Sequence, residues 1–186
     1  MDVVSAIIPC LDEETAIGQV VTAVLAHDVS EVIVVDGGSR DRTVERAGAA
    51  GARVIVEPRR GYGRAIQAGI AAVRDDADII VFLDGDGSDP AENIPALLAP
   101  IVAGEAVFVL GSRIRGPRES YGWNLEMLMR VAAVRLPARE IAVGQRRRIG
   151  GMSKVSGNFV AGLKAAWSIS VTFVRLALEL RTSRGR

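Results

Sequence analysis

The sequence predicts an α/β protein, a doubly wound and mostly parallel sheet with helices on both faces, folded as a single domain over residues 1–186. Three observations carry that expectation. Short β-branched runs alternate with helical patterns over the first 110 residues, and a polar or glycine-containing segment follows each apolar run. A chain of 186 residues with 49% hydrophobic content can also bury one substantial core.

The elements follow in order. Val3–Ile8 reads as the first strand, and Glu14–Ala26 as a helix with Ile17, Val20, Val21, Val24 and Leu25 on one apolar stripe. Glu31–Val35 is the second strand. Arg42–Ala50 is the second helix, with Asp41 placed to cap it and Glu45 in its first turns. Ala52–Val56 and Gly63–Arg74 repeat the pattern. Ile79–Leu83 is the fourth strand and Ala91–Ala103 the fourth helix, with Pro90 suited to its start, and Ala106–Leu110 is the fifth strand.

Composition removes several classes of function. A single cysteine, Cys10, excludes a disulfide framework and fits a reducing compartment. One histidine, His27, excludes a histidine-rich metal site and disfavours a Ser-His-Asp triad. The first residues look like a strand rather than a leader, and the longest apolar stretch, 165–180, contains Arg175 and Glu179 and is short for a membrane span. A cytoplasmic protein is expected, soluble or peripheral at the inner face of the membrane.

The net charge of +1 hides a segregation. Residues 1–110 hold 8 arginines against 18 acids, a net of −10, whereas residues 111–186 hold 15 basic residues against 4 acids, a net of +11. A basic half can attract nucleic acid, an anionic membrane or a phosphorylated substrate.

In a doubly wound sheet, ligands bind beyond the carboxyl ends of the strands. The polar residues gather there: 9–14 after the first strand, 36–39 after the second, 59–63 after the third, Asp84-Gly85-Asp86 after the fourth and 111–113 after the fifth. Two carboxylates at i and i+2 on a turn can converge on a hard divalent cation that arrives with phosphate oxygens. Rival motifs fail on spacing. Gly61-Tyr62-Gly63 follows the third strand and has Ile66 where a dinucleotide fingerprint needs its last glycine, and a calcium loop starting at Asp84 would have Asp89 and Pro95 in place of its glycine and glutamate.

Taken with Ile8-Pro9-Cys10-Leu11-Asp12-Glu13-Glu14, Val34-Val35-Asp36-Gly37-Gly38-Ser39, Arg60-Gly61-Tyr62-Gly63-Arg64-Ala65 and Gly111-Ser112-Arg113, the Asp84-Gly85-Asp86 turn resembles family 2 glycosyltransferases of the GT-A fold. The run from Arg148 through Gly151 to Ser153-Lys154 is similar to the Arg-x-x-Gly-x-Ser-Lys signature of the dolichyl-phosphate-mannose-synthase-like branch. The resemblance implies a metal-dependent, inverting transfer of a sugar from a UDP- or GDP-sugar to an acceptor, with polyprenyl phosphate the expected acceptor and no nucleic acid partner. It implies that Pro9, Leu11, Glu13 and Asp36 hold the base and ribose, with Gly63 and Gly85 on the donor side. Asp84 and Asp86 would bind Mg or Mn, with Ser88 a weaker next position. Arg113, Arg148, Ser153 and Lys154 would lie around the donor diphosphate or a phosphate acceptor.

Plainer readings stand beside these. Glu13 also suits a helix N-terminus and Asp36 a turn, and Arg146 to Arg148 also reads as a solvated charge run. The face formed by Leu163, Trp167, Val171, Val174 and Leu178 suits a core or a homodimer interface better than a membrane anchor. In the branch that the chain resembles, a block of several dozen residues separates the counterparts of Arg115–Glu119 and Tyr121–Met127, which here are joined by Ser120 alone. The nucleotide-sugar part, residues 1–113, is thus expected to be intact, and the acceptor part, residues 114–186, shortened, with Glu126 a candidate acceptor-side acid. The alternative function is a catalytically impaired binding protein that keeps the nucleotide crevice.

Overall fold

The computed structural model describes residues 2–112, 131 and 134–149 of the chain. Four strands, β1 (Val4–Cys10), β2 (Glu31–Asp36), β3 (Arg53–Val56) and β4 (Ile79–Phe82), form one parallel sheet in the order β3-β2-β1-β4. Between them run α1 (Ile17–Leu25), α2 (Thr43–Ala49) and α3 (Tyr62–Ala72). After β4, a short 3₁₀ turn (Ala91–Asn93) leads into α4 (Ile94–Val102).

The sheet is covered on both sides, as a parallel sheet requires. On one face, Val4, Ala6, Ile8 and Cys10 of β1 and Val32 and Val34 of β2 pack with α1, with Ala47 of α2 and with Ile94 of α4. On the other, Ile7, Ile33 and Val35 pack with Ala65 and Ile66 of α3. Strand alternation sends neighbouring residues of β1 to opposite cores, which is why the whole strand is buried and apolar but for Ser5. Ser5 satisfies its hydroxyl by donating to Glu31 Oε1 at 2.8 Å.

Three expectations need correction. Among the described residues the fifth strand, β5 (Phe108–Ser112), is not hydrogen-bonded to the four-stranded sheet; it pairs in parallel with β6 (Ala138–Ala142) in a second, two-stranded sheet. The expectation of β5 as a fifth member of one sheet came from its apolar run, but its partner lies about 30 residues on, in a segment rich in Ala, Arg and Glu that has little strand propensity. The first helix starts at Ile17 rather than Glu14, because residues 14–16 form turns against the Glu13 carbonyl, which accepts the N–H groups of Ala16 and Ile17. The fourth helix starts at Ile94, the 3₁₀ turn taking the residues just after Pro90.

Candidate functional site

The carboxyl ends of β1 and β2 are tied together before any ligand is considered. Asp36 is 2% exposed, and its carboxylate is spent within its own turn: Oδ2 accepts the N–H groups of Gly38 and Ser39 at 2.9 Å each, and Oδ1 accepts the Ser39 hydroxyl. The loops after the two strands then lace together. Ser39 Oγ accepts the Asp12 N–H and Asp12 Oδ1 accepts the Arg40 N–H, both at 2.8 Å. The Glu13 N–H donates to Thr43 Oγ1 at 2.8 Å, and the Thr43 hydroxyl donates on to Asp41. Asp41 also accepts the N–H groups of Thr43 and Glu14 at 3.0 and 3.1 Å. It therefore braces α2 and the first loop together, from one residue ahead of the formal cap, Arg42. Burial alone would raise the Asp41 pKa, but the hydrogen bonds from Thr43 and from these N–H groups outweigh it and hold the carboxyl below its ordinary value.

This lacing makes Pro9, Leu11, Glu13 and Asp36 one wall. Pro9 and Cys10 sit in register with Val35 and Asp36, the Gly37 N–H donates to the Cys10 carbonyl at 2.9 Å, and the Glu13 side chain is buried at the head of α1. The wall is braced by the hydrogen bonds that run between the two loops.

Glu57, which the sequence reading did not single out, closes the end of β3. Its N–H donates to the Asp36 carbonyl at 2.8 Å, and its carboxylate accepts Arg59 Nε and Nη2 at 2.8 Å each together with the Arg59 N–H at 3.0 Å. A bidentate guanidinium and a backbone donor hold the Glu57 carboxyl down at about 2, from an ordinary value of 4.5. Because the folded pKa is depressed, this pair stabilises the fold above pH 4.5 and that contribution is lost as pH falls from 4.5 toward 2. Melting followed by circular dichroism should show wild type losing stability across that window more steeply than Glu57→Gln. The gap should narrow in high salt, since Arg59 is largely exposed. Parallel curves would refute the assignment. The only sequence signal for Glu57 was an acid two residues before an arginine at a strand end.

Beyond β4, the Asp84-Gly85-Asp86 turn lies directly against β1. A Cβ on Gly85 would come within 3.1 Å of the Cys10 Cβ and 3.4 Å of Ile8 Cγ2, so close packing on the strand explains this glycine without a ligand. A Cβ on Gly63, in the first turn of α3, would meet nothing among the described residues within 4 Å. Tyr62 donates its hydroxyl to Asp84 Oδ1 at 3.4 Å, and Asp89 Oδ2 accepts the Asp84 N–H at 3.1 Å. Asp86 is 4% exposed; its Oδ1 accepts the Ser88 N–H at 2.8 Å, and its Oδ2 accepts Arg148 Nε at 2.9 Å. The structure thus joins two residues that the sequence placed 62 positions apart.

Arg113, Glu126, Ser153 and Lys154, together with the apolar face from Leu163 to Leu178, lie outside the described residues. Among the described residues, no three His, Cys, Asp or Glu side chains converge as a metal cage. Two carboxylates on one turn are still the donor set that suits Mg or Mn, which take one or two carboxylates and complete their shell with substrate phosphates and water. Asp84 and Asp86 fit an ion delivered with a diphosphate.

Comparison with known proteins places the chain in a family. The family model described as glycosyl transferase family 2 matches residues 5–166. An uncharacterised glycosyltransferase of Mycobacterium bovis is 32% identical over 203 aligned positions, covering 84% of this chain and 91% of the relative. That alignment is longer than the chain's 186 residues, so within the matched span the relative carries residues that this chain does not. Glucosyl-3-phosphoglycerate synthase of Mycolicibacterium paratuberculosis is 39% identical over 126 residues, covering 61% of this chain and 38% of that protein. A crystal structure of glucosyl-3-phosphoglycerate synthase from Mycobacterium tuberculosis in complex with Mn²⁺, UDP-glucose and phosphoglyceric acid shares the fold, with a TM-score of 0.78 at 23% identity over 94% of this chain and 79% of that one.

Proposed function

Because the chain belongs to glycosyl transferase family 2, we propose that it transfers a sugar, with inversion, from a UDP-sugar to a phosphate-bearing acceptor, using Mg or Mn held by Asp84 and Asp86. The observation that carries this reading is the Asp84–Asp86 turn, fixed against β1 with a buried carboxylate and an arginine beside it. UDP is favoured over GDP by relatives that include glucosyl-3-phosphoglycerate synthases, and the Mycobacterium tuberculosis synthase that shares the fold is solved with UDP or UDP-glucose.

Each residue has a physical task. The wall of Pro9, Leu11, Glu13 and Asp36 frames the base and ribose, Asp36 acting through the turn that it builds. Gly63 leaves the start of α3 open to the donor. The Ser88 N–H and the Tyr62 hydroxyl fix the orientation of the two acids. When bound, the metal supplies charge neutralisation to the departing nucleoside diphosphate. Arg148, with Arg113, Ser153 and Lys154, would provide positive and hydrogen-bonding groups for diphosphate and acceptor phosphate. Glu126 is assigned to the acceptor side. An acceptor phosphate oxygen is already anionic and can attack the anomeric carbon without a strong general base.

Two acceptors share that phosphate chemistry. Polyprenyl phosphate follows from the resemblance of Arg148 to Lys154, and would bring the protein to the membrane surface although no helix among the described residues is long and apolar enough to cross it. Phosphoglycerate follows from the relatives. A second copy of the chain would complete the acceptor side that the sequence leads one to expect to be shortened.

Calorimetry with UDP and GDP, with and without Mn²⁺, tests the donor site; metal-dependent UDP binding is expected, and no metal-dependent binding of either nucleotide would refute it. Radiolabelled glucose transfer from UDP-glucose, run separately with phosphoglycerate and polyprenyl phosphate, then identifies the acceptor. Nucleotide binding without product from either would favour an impaired binding protein derived from such an enzyme.

A further inference from the structure

A carboxylate as buried as Asp86 needs a partner cation, because an isolated charge out of water is costly. The partner comes from residues 144–149, which run as a strap across the Asp86 turn. The Arg146 N–H donates to the Ser88 carbonyl and the Ile149 N–H to the Asp86 carbonyl, both at 3.0 Å. Outside these, Asn93 Nδ2 donates to the Gly144 carbonyl at 3.1 Å, and Arg146 Nη2 pairs with Glu92 Oε1 at 3.0 Å. Gly87 has φ of +76°, and a Cβ there would come within 2.5 Å of Ile149 Cδ1, so a glycine is what lets the strap lie flat. Arg148 is therefore delivered to Asp86 by backbone geometry.

The pairing has a consequence for the metal. With Oδ1 taken by the Ser88 N–H and Oδ2 by Arg148 Nε, both oxygens of a proposed ligand are engaged by donors of the protein itself. Arg148 is 40% exposed and long, so its guanidinium can swing away while the strap stays in place.

We infer that Arg148 is a resident counter-cation of Asp86 that competes with the divalent ion and is drawn off by the donor diphosphate, so that metal and nucleotide load cooperatively. The inference rests on the proposed function, which makes Asp84 and Asp86 the metal ligands. In the free protein Arg148 neutralises Asp86; in the loaded protein the diphosphate offers it a second anion and frees the carboxylate. By linkage, UDP strengthens metal binding by the same factor as metal strengthens UDP binding.

Mn²⁺ binding, measured by electron paramagnetic resonance with and without UDP, reads this directly without turnover. Arg148→Gln should bind Mn²⁺ at least about fivefold more tightly than wild type in the absence of UDP, and lose a similar share of the UDP-to-Mn²⁺ coupling. Arg148→Lys keeps the positive charge and should stay near wild type. Should Arg148→Gln fail to fold, Arg148→Ala, which removes the guanidinium and leaves the strap's two backbone hydrogen bonds to Ser88 and Asp86, carries the same expectation. Unchanged nucleotide-free Mn²⁺ affinity and unchanged coupling, in protein that binds Mn²⁺ with UDP, would overturn the inference alone. Absence of Mn²⁺ binding to wild type even with UDP would instead overturn the proposed metal site and this inference with it.

Discussion

In Asp86→Asn, Mn²⁺-dependent UDP binding should disappear and sugar transfer should fall by about 10³-fold, the size expected when a group stabilising developing charge is removed from a site that excludes water. The substitution is chosen to spare the fold. Asparagine keeps an oxygen for the Ser88 N–H, so the turn at 86–88 stays capped. It loses the anionic charge that a hard cation requires, and it sets an amide N–H₂ against Arg148, whose exposed guanidinium can turn to solvent. Calorimetry of UDP with and without Mn²⁺ distinguishes the two effects, and circular dichroism checks the fold. Full Mn²⁺-dependent UDP affinity in the folded variant would count decisively against Asp86 as a ligand.

Gly69→Ala should lower stability by about 2 kcal/mol and the melting temperature by roughly 4–8 °C, despite replacing a helical glycine with the best helix former. The cause is the close approach of α3 to the sheet. A Cβ at Gly69 would lie 2.5 Å from Ile7 Cγ2 and 3.2 Å from Val35 Cγ2, both on fully buried residues of the two central strands. Neither strand can yield without disturbing both cores, so the helix must lift, and the overpacking outweighs the gain in propensity. Gly48→Ala in α2 makes the opposite case: a Cβ there meets nothing within 4 Å, and a gain of about 0.5 kcal/mol is expected. Thermal melts of the two variants test the contrast, and equal shifts of the same sign would refute it.

The two glycines look alike in the sequence, and this marks the limit of what local pattern conveys. Periodicity located β1 to β5 and α1 to α4 because each carries its own apolar stripe or run, readable within a short window. It missed β6, whose Ala-Arg-Glu-Ile-Ala sequence resembles a helix and which is a strand only because β5 pairs with it. For Asp36 the sequence left donor contact and turn formation both open; the structure gives its carboxylate to the turn, a fact of three hydrogen bonds to residues 38 and 39. Glu57 passed unnoticed because its partner Arg59 is one of two adjacent arginines, and only the backbone bend after β3 brings that guanidinium back onto it.

The amino-acid sequence by itself determined the α/β class, the order of the first nine elements, the placing of polar residues at strand ends and the two acids of the Asp84–Asp86 turn. These are properties of short segments, set by side-chain period and by residues that begin or end an element. The tertiary structure alone decided that β5 leaves the main sheet for β6, that the loops after β1 and β2 lace into one wall, and that Arg148 lies on Asp86. Those are contacts between residues far apart in the chain. Their free energy is gained only once the backbone has closed the loop between them, so no local window of sequence contains it.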